Sequence, residues 1–127
     1  MRDHTKLRAF ELPDEVVLLI YRATREFPKE EMVGLASQMR RAAVSVLSPI
    51  VEGCARESQA EDLRFFEIAF GSLRELHYQL GLSKRLGYSD EHEISNCESR
   101  IVEAEKVSGG SASINARIAQ GSETSSL

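Results

Sequence analysis

Residues 38–82 read QMRRAAVSVLSPIVEGCARESQAEDLRFFEIAFGSLRELHYQLGL, and this stretch decides the fold. Ser58 and Glu61 form the S-x-x-E pattern of a capping box, in which the two side chains satisfy free amides at the start of a helix. A helix is therefore predicted to begin just after Ser58. Gly53 lies upstream, where a preceding helix can end. The stretch predicts two long helices that meet at a tight corner.

Apolar residues recur every three or four positions on both sides of this corner. After the corner they are Leu63, Phe66, Phe70, Leu73, Leu76 and Leu80. Before it they are Met32, Leu35, Met39, Ala42 or Ala43, Val46 and Ile50. Such spacing places side chains on one face of an α-helix. Two apolar faces joined by a short turn predict an antiparallel helix hairpin.

The sequence before the corner predicts a first helix over residues 13–27. Pro13 suits a first helical turn, because its missing amide would have no partner there. The apolar positions of this helix are Val16, Ile20, Ala23 and Phe27. Pro28 ends it and also fits the start of the next helix, which is predicted over residues 28–56 after a very short connection.

Pro49 lies inside this second predicted helix. A proline there removes one backbone hydrogen bond and clashes with the carbonyl four residues back, so a kink near Pro49 is expected. A complete break followed by a separate short helix is the alternative. The kink is preferred, because Val46, Ile50 and Val51 continue an apolar face across the proline.

A third helix is predicted over residues 59–86, with Gly87 as the residue that ends it and Tyr88 as its hydrophobic contact. Gly71 and Gly81 lie within this helix, and each costs about 1 kcal/mol relative to alanine. Close approach of another helix at both glycines is therefore expected.

A fourth helix is predicted over residues 90–118, although the two glycines at 109–110 weaken it. The predicted organisation is an N-terminal arm (1–12), a bundle domain (13–118) and a disordered polar tail (119–127). Four helices, short connections and no strand pattern predict an all-α, antiparallel up-down-up-down four-helix bundle.

The charge of the chain is unevenly distributed. Its 127 residues fit one domain, and the net charge of −4 argues against indiscriminate binding to nucleic acid. Residues 89–127 carry −4, whereas residues 28–57 and residues 58–88 are each neutral. A basic patch on the central hairpin is therefore compatible with the overall acidity.

The cysteines and the hydropathy pattern bear on location. Cys54 and Cys97 are far apart in a chain that shows no basic-then-apolar leader, which favours a reduced, cytoplasmic setting and buried or incidental thiols. The longest strongly apolar run is 16–20. A membrane span needs about 20 residues, so no membrane association is expected.

Sequence motifs for chemistry are absent. A di-metal bundle needs Glu-x-x-His on two helices, and this sequence has no such pair. His4, His77 and His92 are isolated and are interpreted as surface or helix-flank residues, and neither cysteine has a partner at zinc-ligand spacing. Nucleophile-elbow, Walker and dinucleotide patterns are also missing. No catalytic residue, metal ligand or cofactor is predicted.

Three glutamates could in principle act as acids or bases, and pairing with arginines along the helix surface is the preferred interpretation. The glutamates are Glu52, Glu67 and Glu75, and the arginines are Arg56, Arg74 and Arg64.

The candidate contact site consists of Arg40 and Arg41, with Arg56 sixteen residues further on. Adjacent helical residues point about 100° apart, so one arginine of the pair should face solvent and the other should lie near the bundle edge. Guanidinium groups pair bidentately with phosphate or carboxylate, so the functional interpretation of this pair is contact with RNA backbone or a neighbouring subunit. Intramolecular pairing with Glu52 or Glu75 is the structural alternative.

The patterns QMRRAAVSV, IVEG and R-x-S-x-x-E-D-L-x-F-F-x-I-A-x-G-S-L-x-E-L-x-x-Q-L fill most of the central hairpin. They resemble a bacterial family of four-helix-bundle proteins encoded by intervening sequences of 23S ribosomal RNA genes. The resemblance extends from Leu7 to Val107. It implies a four-helix bundle that assembles into a homopentamer. It also implies kinship with the accessory proteins of diversity-generating retroelements, pentamers that bind reverse transcriptase and nucleic acid. Those proteins are basic, and this chain is not.

Two functions follow as hypotheses. The first is a non-catalytic, homo-oligomeric binding or scaffold protein for structured RNA or a ribosomal component. The second is an adaptor ring that binds only protein. Small residues that would allow close packing between chains are Gly71, Ser72, Ala42 and Ala43.

Overall fold

The computed structural model describes residues 8–55 and 59–120, and it describes side chains within residues 10–49, 51–52, 64 and 67–107. Its elements are α1 (Arg8–Thr24), a short 3-10 helix (Lys29–Val33), α2 (Leu35–Ala55), α3 (Gln59–Leu86) and α4 (Glu91–Gln120). Within the described residues α1 packs on α2 and α4, and α3 packs on the same two helices. The predicted all-α four-helix bundle is confirmed.

The core lies on the axis of the bundle, and each helix contributes to it one apolar face with the spacing read from the sequence. Its buried side chains include Val16, Ile20, Ala23, Met39, Ala43, Val46, Leu73, Leu76, Leu80, Ile94, Cys97 and Ile101. Burial of such side chains stabilises a bundle by about 1.5–3 kcal/mol for each large residue. The predicted core positions 50, 63 and 66 lie outside the described side chains.

Helix α1 begins earlier than the sequence suggested. It starts at Arg8 rather than near residue 13, so Pro13 lies inside the helix. Leu12 and Pro13 are buried, and Phe10 packs against the core. Burial of these apolar groups offsets the one backbone bond that the proline removes. The predicted division into arm, bundle and tail stays a prediction.

The start of the second helix was predicted wrongly. Residues 29–33 form a 3-10 helix, and α2 begins only at Leu35. The carboxylate of Glu31 explains the delay, because its Oε1 accepts the Leu35 amide at 2.9 Å and so caps the first turn of α2. Helix α2 then continues through Pro49 to Ala55, which excludes a complete break there. The local bend at Pro49 stays a prediction.

Helix α3 has the predicted bounds and the predicted C-terminal signal. Gly87 has a φ of 71°, a left-handed conformation that glycine adopts without strain. The amides of Gly87 and Tyr88 donate to the carbonyls of Lys84 and Ser83, which is the Schellman arrangement. Ser58 lies outside the described residues, so the capping box itself stays a prediction.

Side chains from three elements tie this end of the bundle together. The Tyr88 hydroxyl donates to Oε2 of Glu31 at 3.0 Å, and its ring packs against Phe27 with centroids 5.4 Å apart. The Ser89 hydroxyl donates to the Ala23 carbonyl at 3.2 Å. The bond to the Glu31 carboxylate raises the pKa of the Tyr88 phenol. Glu31 thus links the start of α2 to the α3–α4 turn.

Helix α4 begins where Asp90 caps it. The Asp90 carboxylate accepts the His92 and Glu93 amides at 3.0 and 3.3 Å. The helix runs from Glu91 to Gln120, so the glycine pair at 109–110 does not interrupt it.

Two expectations about small residues were wrong. A side-chain carbon placed on Gly71 or Gly81 would meet nothing within 4 Å, so no close helix approach within the chain explains these glycines. Ala42 and Ala43 are 6% and 0% exposed, which places them in the core of the bundle rather than on a surface between chains.

Candidate functional site

A groove with a volume of about 400 Å³ runs between α1 and α2, and five residues line it. They are Leu18, Tyr21, Arg22, Arg25 and Arg40, which we call the arginine groove. Leu18, Tyr21 and Arg22 share one face of α1, with Tyr21 and Arg22 three and four positions after Leu18, and Arg25 follows in the turn just after α1 ends at Thr24. Among the described residues, three guanidinium groups and no carboxylate line this groove.

Arg40 reaches the groove from α2 and is held in place by α1. Its Nε donates to Oγ1 of Thr24 at 2.8 Å, and its Nη2 donates to the Tyr21 carbonyl at 3.4 Å. The guanidinium carbon also lies 4.7 Å from the centre of the Tyr21 ring, a cation–π distance. The fully buried Thr24 hydroxyl in turn donates to the Ile20 carbonyl at 2.7 Å. Arg40 therefore connects two helices and keeps a fixed orientation.

Sequence reasoning missed Arg22 and Arg25. Both are exposed, and neither has an ion-pair partner within the described part of the chain. Their spacing of three was a visible signal. Arg22 and Arg25 were not identified from the sequence, because only the antiparallel packing of α1 on α2 brings them close to Arg40.

The other arginines predicted as contact residues occupy different positions. Arg41 is exposed and does not line the groove, whereas Arg40 is half-buried, so the two point differently as expected. The intramolecular partners of Arg40 are Thr24 and Tyr21 rather than Glu52 or Glu75. Arg56 lies outside the described residues. Their role as contact residues stays a prediction.

A second polar cluster lies between α3 and α4. It consists of Arg74, His77, Glu98 and Glu105, and we call it the α3–α4 cluster. His77 Nδ1 lies 3.1 Å from Oε2 of Glu105, and Arg74 Nη1 lies 3.3 Å from the same oxygen. His77 Nε2 lies 3.8 Å from Glu98 Oε2. The Glu105 side chain is only 10% exposed, so these contacts compensate for removing a carboxylate from water.

This cluster corrects two interpretations of the sequence. His77 is half-buried between α3 and α4 and has a carboxylate partner, so it is not an isolated surface histidine. Arg74 pairs across helices with Glu105 rather than with a glutamate of its own helix. The sequence signal for this cluster was the spacing of three between Arg74 and His77 on α3 and of seven between Glu98 and Glu105 on α4. Only the packing of α3 on α4 brings the two pairs together. Glu75 accepts a bond from Gln79 at 3.5 Å.

The described residues contain no group of three or more histidine, cysteine or acidic side chains that can hold a metal ion. The α3–α4 cluster supplies one imidazole and two carboxylates, and both Glu105 oxygens face Nδ1 of His77. Its geometry is that of a set of polar contacts that link α3 to α4.

Cys97 is a free, fully buried thiol in the core. Its Sγ lies 3.5 Å from the Leu19 carbonyl, to which it donates. Burial, and secondarily the charge of Glu93, raises the pKa of the thiol to about 11. This agrees with the interpretation of Cys97 as a buried residue. Cys54 lies outside the described side chains.

Cys97 should therefore react slowly with thiol reagents. With its pKa moved from 9.0 to about 11, the thiolate fraction at pH 8 falls about 100-fold, because each unit changes that fraction tenfold. The measurement is the rate of disulfide-reagent labelling in a Cys54→Ser chain, native against guanidine-unfolded. The native rate should be at least about 100-fold lower. Similar rates in the two states would contradict burial of Cys97.

A third surface feature is an apolar stripe on the outside of α3. Its residues are Ile68, Gly71, Tyr78, Leu82 and Leu86, which we call the outer stripe. Ile68, Tyr78 and Leu86 are 46%, 64% and 51% exposed. The same helix buries Leu73, Leu76 and Leu80 on its opposite side. Helix α3 is thus apolar on two faces, of which the bundle covers one.

These features define a small four-helix bundle whose surface offers a basic groove and an apolar stripe. No helix in the described part of the chain is long and apolar enough to span a bilayer. The family model of the 23S rRNA-intervening sequence protein matches residues 5–110. The chain belongs to this family, as the resemblance in the central hairpin predicted.

A solved structure agrees with the fold. It is a protein of unknown function from the S23 ribosomal protein family of Bacteroides thetaiotaomicron, with 18% sequence identity and a TM-score of 0.67. The alignment covers 84% of this chain and 99% of that one. A comparison with curated proteins gives no match.

Proposed function

We propose that this protein is a non-catalytic, homo-oligomeric binding module that works in the cytoplasm. In this proposal its copies form a ring, with five as the expected number, and the ring binds structured RNA or a ribosomal component. The observation that carries the assembly is the outer stripe of α3. Exposed apolar patches of this kind mark protein–protein contacts, and a bundle of four helices leaves no helix of its own to cover this one.

The shape of α3 supports the packing of a second copy of the chain on the outer stripe. The outer stripe follows spacings of three and four from residue 68 to 71 and from residue 78 to 86, and the exposed charged residues Arg74 and Glu75 lie on the turn between these two parts. At about 1.5 Å per residue the outer stripe spans roughly 27 Å from end to end. Gly71 lies within it and leaves open space where another helix can approach. This combination suits packing against a straight helical surface.

The test is the native mass of the purified protein. One chain has a mass of 14.2 kDa. We expect a mass about five times that value by light scattering or native mass spectrometry, and the oligomer should persist at low micromolar concentration. A mass of one chain at these concentrations would contradict the assembly, and a mass of two to four chains would contradict the pentameric ring.

The second candidate function is an adaptor ring that binds a partner protein and no nucleic acid. The apolar residue Leu18 in the arginine groove supports it, because an apolar side chain also packs against apolar groups of a protein partner. The two candidates differ in one observable, namely salt-sensitive RNA binding by the assembled protein.

A further inference from the structure

The arginine groove collects positive charge without internal compensation. Two arginines elsewhere in the described chain contact carboxylates: Arg74 lies 3.3 Å from Glu105, and Arg100 lies 3.0 Å from Glu103. Three arginines around one groove repel one another and gain nothing from a neighbouring acid. Such a site is stabilised by an anion from outside the chain.

Arg40 is prepared to bind such an anion. Two of its five N–H groups are engaged by Thr24 and the Tyr21 carbonyl, which leaves three N–H groups of the guanidinium outside these bonds. Since Thr24 is fully buried and holds Nε of Arg40 at 2.8 Å, the planar group is already oriented before a ligand binds. Pre-organisation of this kind increases affinity, and a guanidinium fork matches the oxygens of a phosphate.

Tyr21 indicates what accompanies the anion. Its ring has Arg40 over one face, and the residue is 43% exposed beside Leu18. An inorganic anion makes no favourable contact with the apolar surfaces of Tyr21 and Leu18. A nucleotide does, because its planar base stacks on aromatic rings and on arginine planes while its phosphate meets the guanidinium groups. A groove of about 400 Å³ is of the size that takes a ligand of this class.

We infer that the arginine groove binds unpaired RNA, with phosphates held by Arg22, Arg25 and Arg40 and a base packed against Tyr21. In duplex RNA the base faces are stacked inside the helix and cannot reach the Tyr21 ring, so the groove selects unpaired segments. This inference deepens the proposed function by assigning its RNA contact to one site. It places the contact on α1 as well as on α2.

The test compares two double variants in filter binding across a salt series. Arg22→Ala/Arg25→Ala removes two groove charges, and both residues are exposed, so the fold is retained. Lys84→Ala/Arg85→Ala removes the same charge from the exposed end of α3. Arg40 is left unchanged, because it also holds α1 to α2. The probes are a short single-stranded RNA, the same RNA as a duplex, and poly-glutamate as a competitor.

Wild-type protein should bind the single strand more tightly than the duplex. The groove variant should bind about tenfold or more weakly, and its salt slope should fall by about 1.4, or roughly 0.7 for each lost phosphate contact. The α3 variant should keep both the affinity and the slope. Equal weakening by both variants, no binding at low salt, or equal competition by poly-glutamate would overturn the inference, the last in favour of an acidic protein partner.

Failure here is distinguishable from failure of the proposed assembly. Native mass reports the assembly, and neither groove arginine belongs to the outer stripe. An oligomer whose RNA binding survives the groove variant overturns the groove inference alone. An oligomer that binds no RNA overturns both the groove inference and the RNA binding of the proposed function but not the assembly, whereas a monomer that binds RNA through the groove overturns the ring alone.

Discussion

Replacement of His77 by leucine is expected to lower the free energy of unfolding by about 1–3 kcal/mol, because the buried Glu105 carboxylate loses its closer partner and keeps only the exposed Arg74. The imidazole is the closest compensating group of the Glu105 carboxylate, at 3.1 Å. Arg74 remains at 3.3 Å, but its side chain is 61% exposed and shares its charge with water. Leucine fills the space of the imidazole and supplies no donor.

Replacement of Glu105 should have a smaller effect. Glu105→Leu removes the buried carboxylate and leaves Arg74 and His77 free to turn towards solvent, so its cost should be smaller than that of His77→Leu. In the double variant both members of the pair are apolar, and the loss should be less than the sum of the single losses by about 1–2 kcal/mol. This asymmetry arises because the unpaired carboxylate, rather than the lost contact, dominates the cost.

Urea unfolding at neutral pH gives the free energy of unfolding of the wild type, the two single variants and the double variant. All are measured at one protein concentration, because assembly shifts apparent stability. Glu98→Ala is the matched control, because its carboxylate is 3.8 Å from His77 Nε2 and 44% exposed. It should change stability by about 0.5 kcal/mol or less, as surface ion pairs do. If His77→Leu costs the same with and without Glu105, the cluster does not act as a unit.

Gly71→Lys is expected to dissociate the oligomer while stabilising the individual bundle. Gly71 is exposed in the middle of α3, and a side chain there meets nothing within 4 Å. Lysine is a good helix former, so replacing glycine should raise the stability of one chain by about 0.5–1 kcal/mol. A charged side chain within the outer stripe would nevertheless be buried without a partner when a second copy covers it.

Gly81→Lys supplies the matched control. Gly81 also lies in α3, and a side-chain carbon placed there would meet nothing within 4 Å, but this glycine is not part of the outer stripe. Its replacement should bring the same gain in helix propensity and leave the native mass unchanged. Light scattering of both variants at equal concentration gives the comparison. Retention of the wild-type mass by Gly71→Lys would show that no second copy covers the outer stripe.

Local sequence signals succeeded wherever their physics is local. Gly87 ends α3 because the left-handed φ it adopts strains other residues, and Asp90 starts α4 because its carboxylate accepts two free amides. The same applies to the apolar spacing of α3, whose bounds at 59 and 86 were read directly from the sequence. Such features depend on a few consecutive residues.

Predictions failed where a residue's partner comes from a distant element. Pro13 looked like a helix start, but burial of its neighbours against the core extends α1 to Arg8. The side chain of Glu31 caps α2 and also accepts the Tyr88 hydroxyl from 57 residues away. Nothing in the neighbouring sequence marks such a partner.

The candidate site divides in the same way. Arg40 was identified from its own type and position, whereas Arg22 and Arg25 were not, because only the packing of α1 on α2 brings them to the same groove. The sequence by itself determined the four helices, most of their ends, the core faces and the family. The tertiary structure alone decided which charges are paired, as at Glu105, and which are left open, as in the arginine groove. The reason is that the partners of a charged side chain depend on how helices pair across the bundle, whereas the helices themselves depend on spacing within the chain.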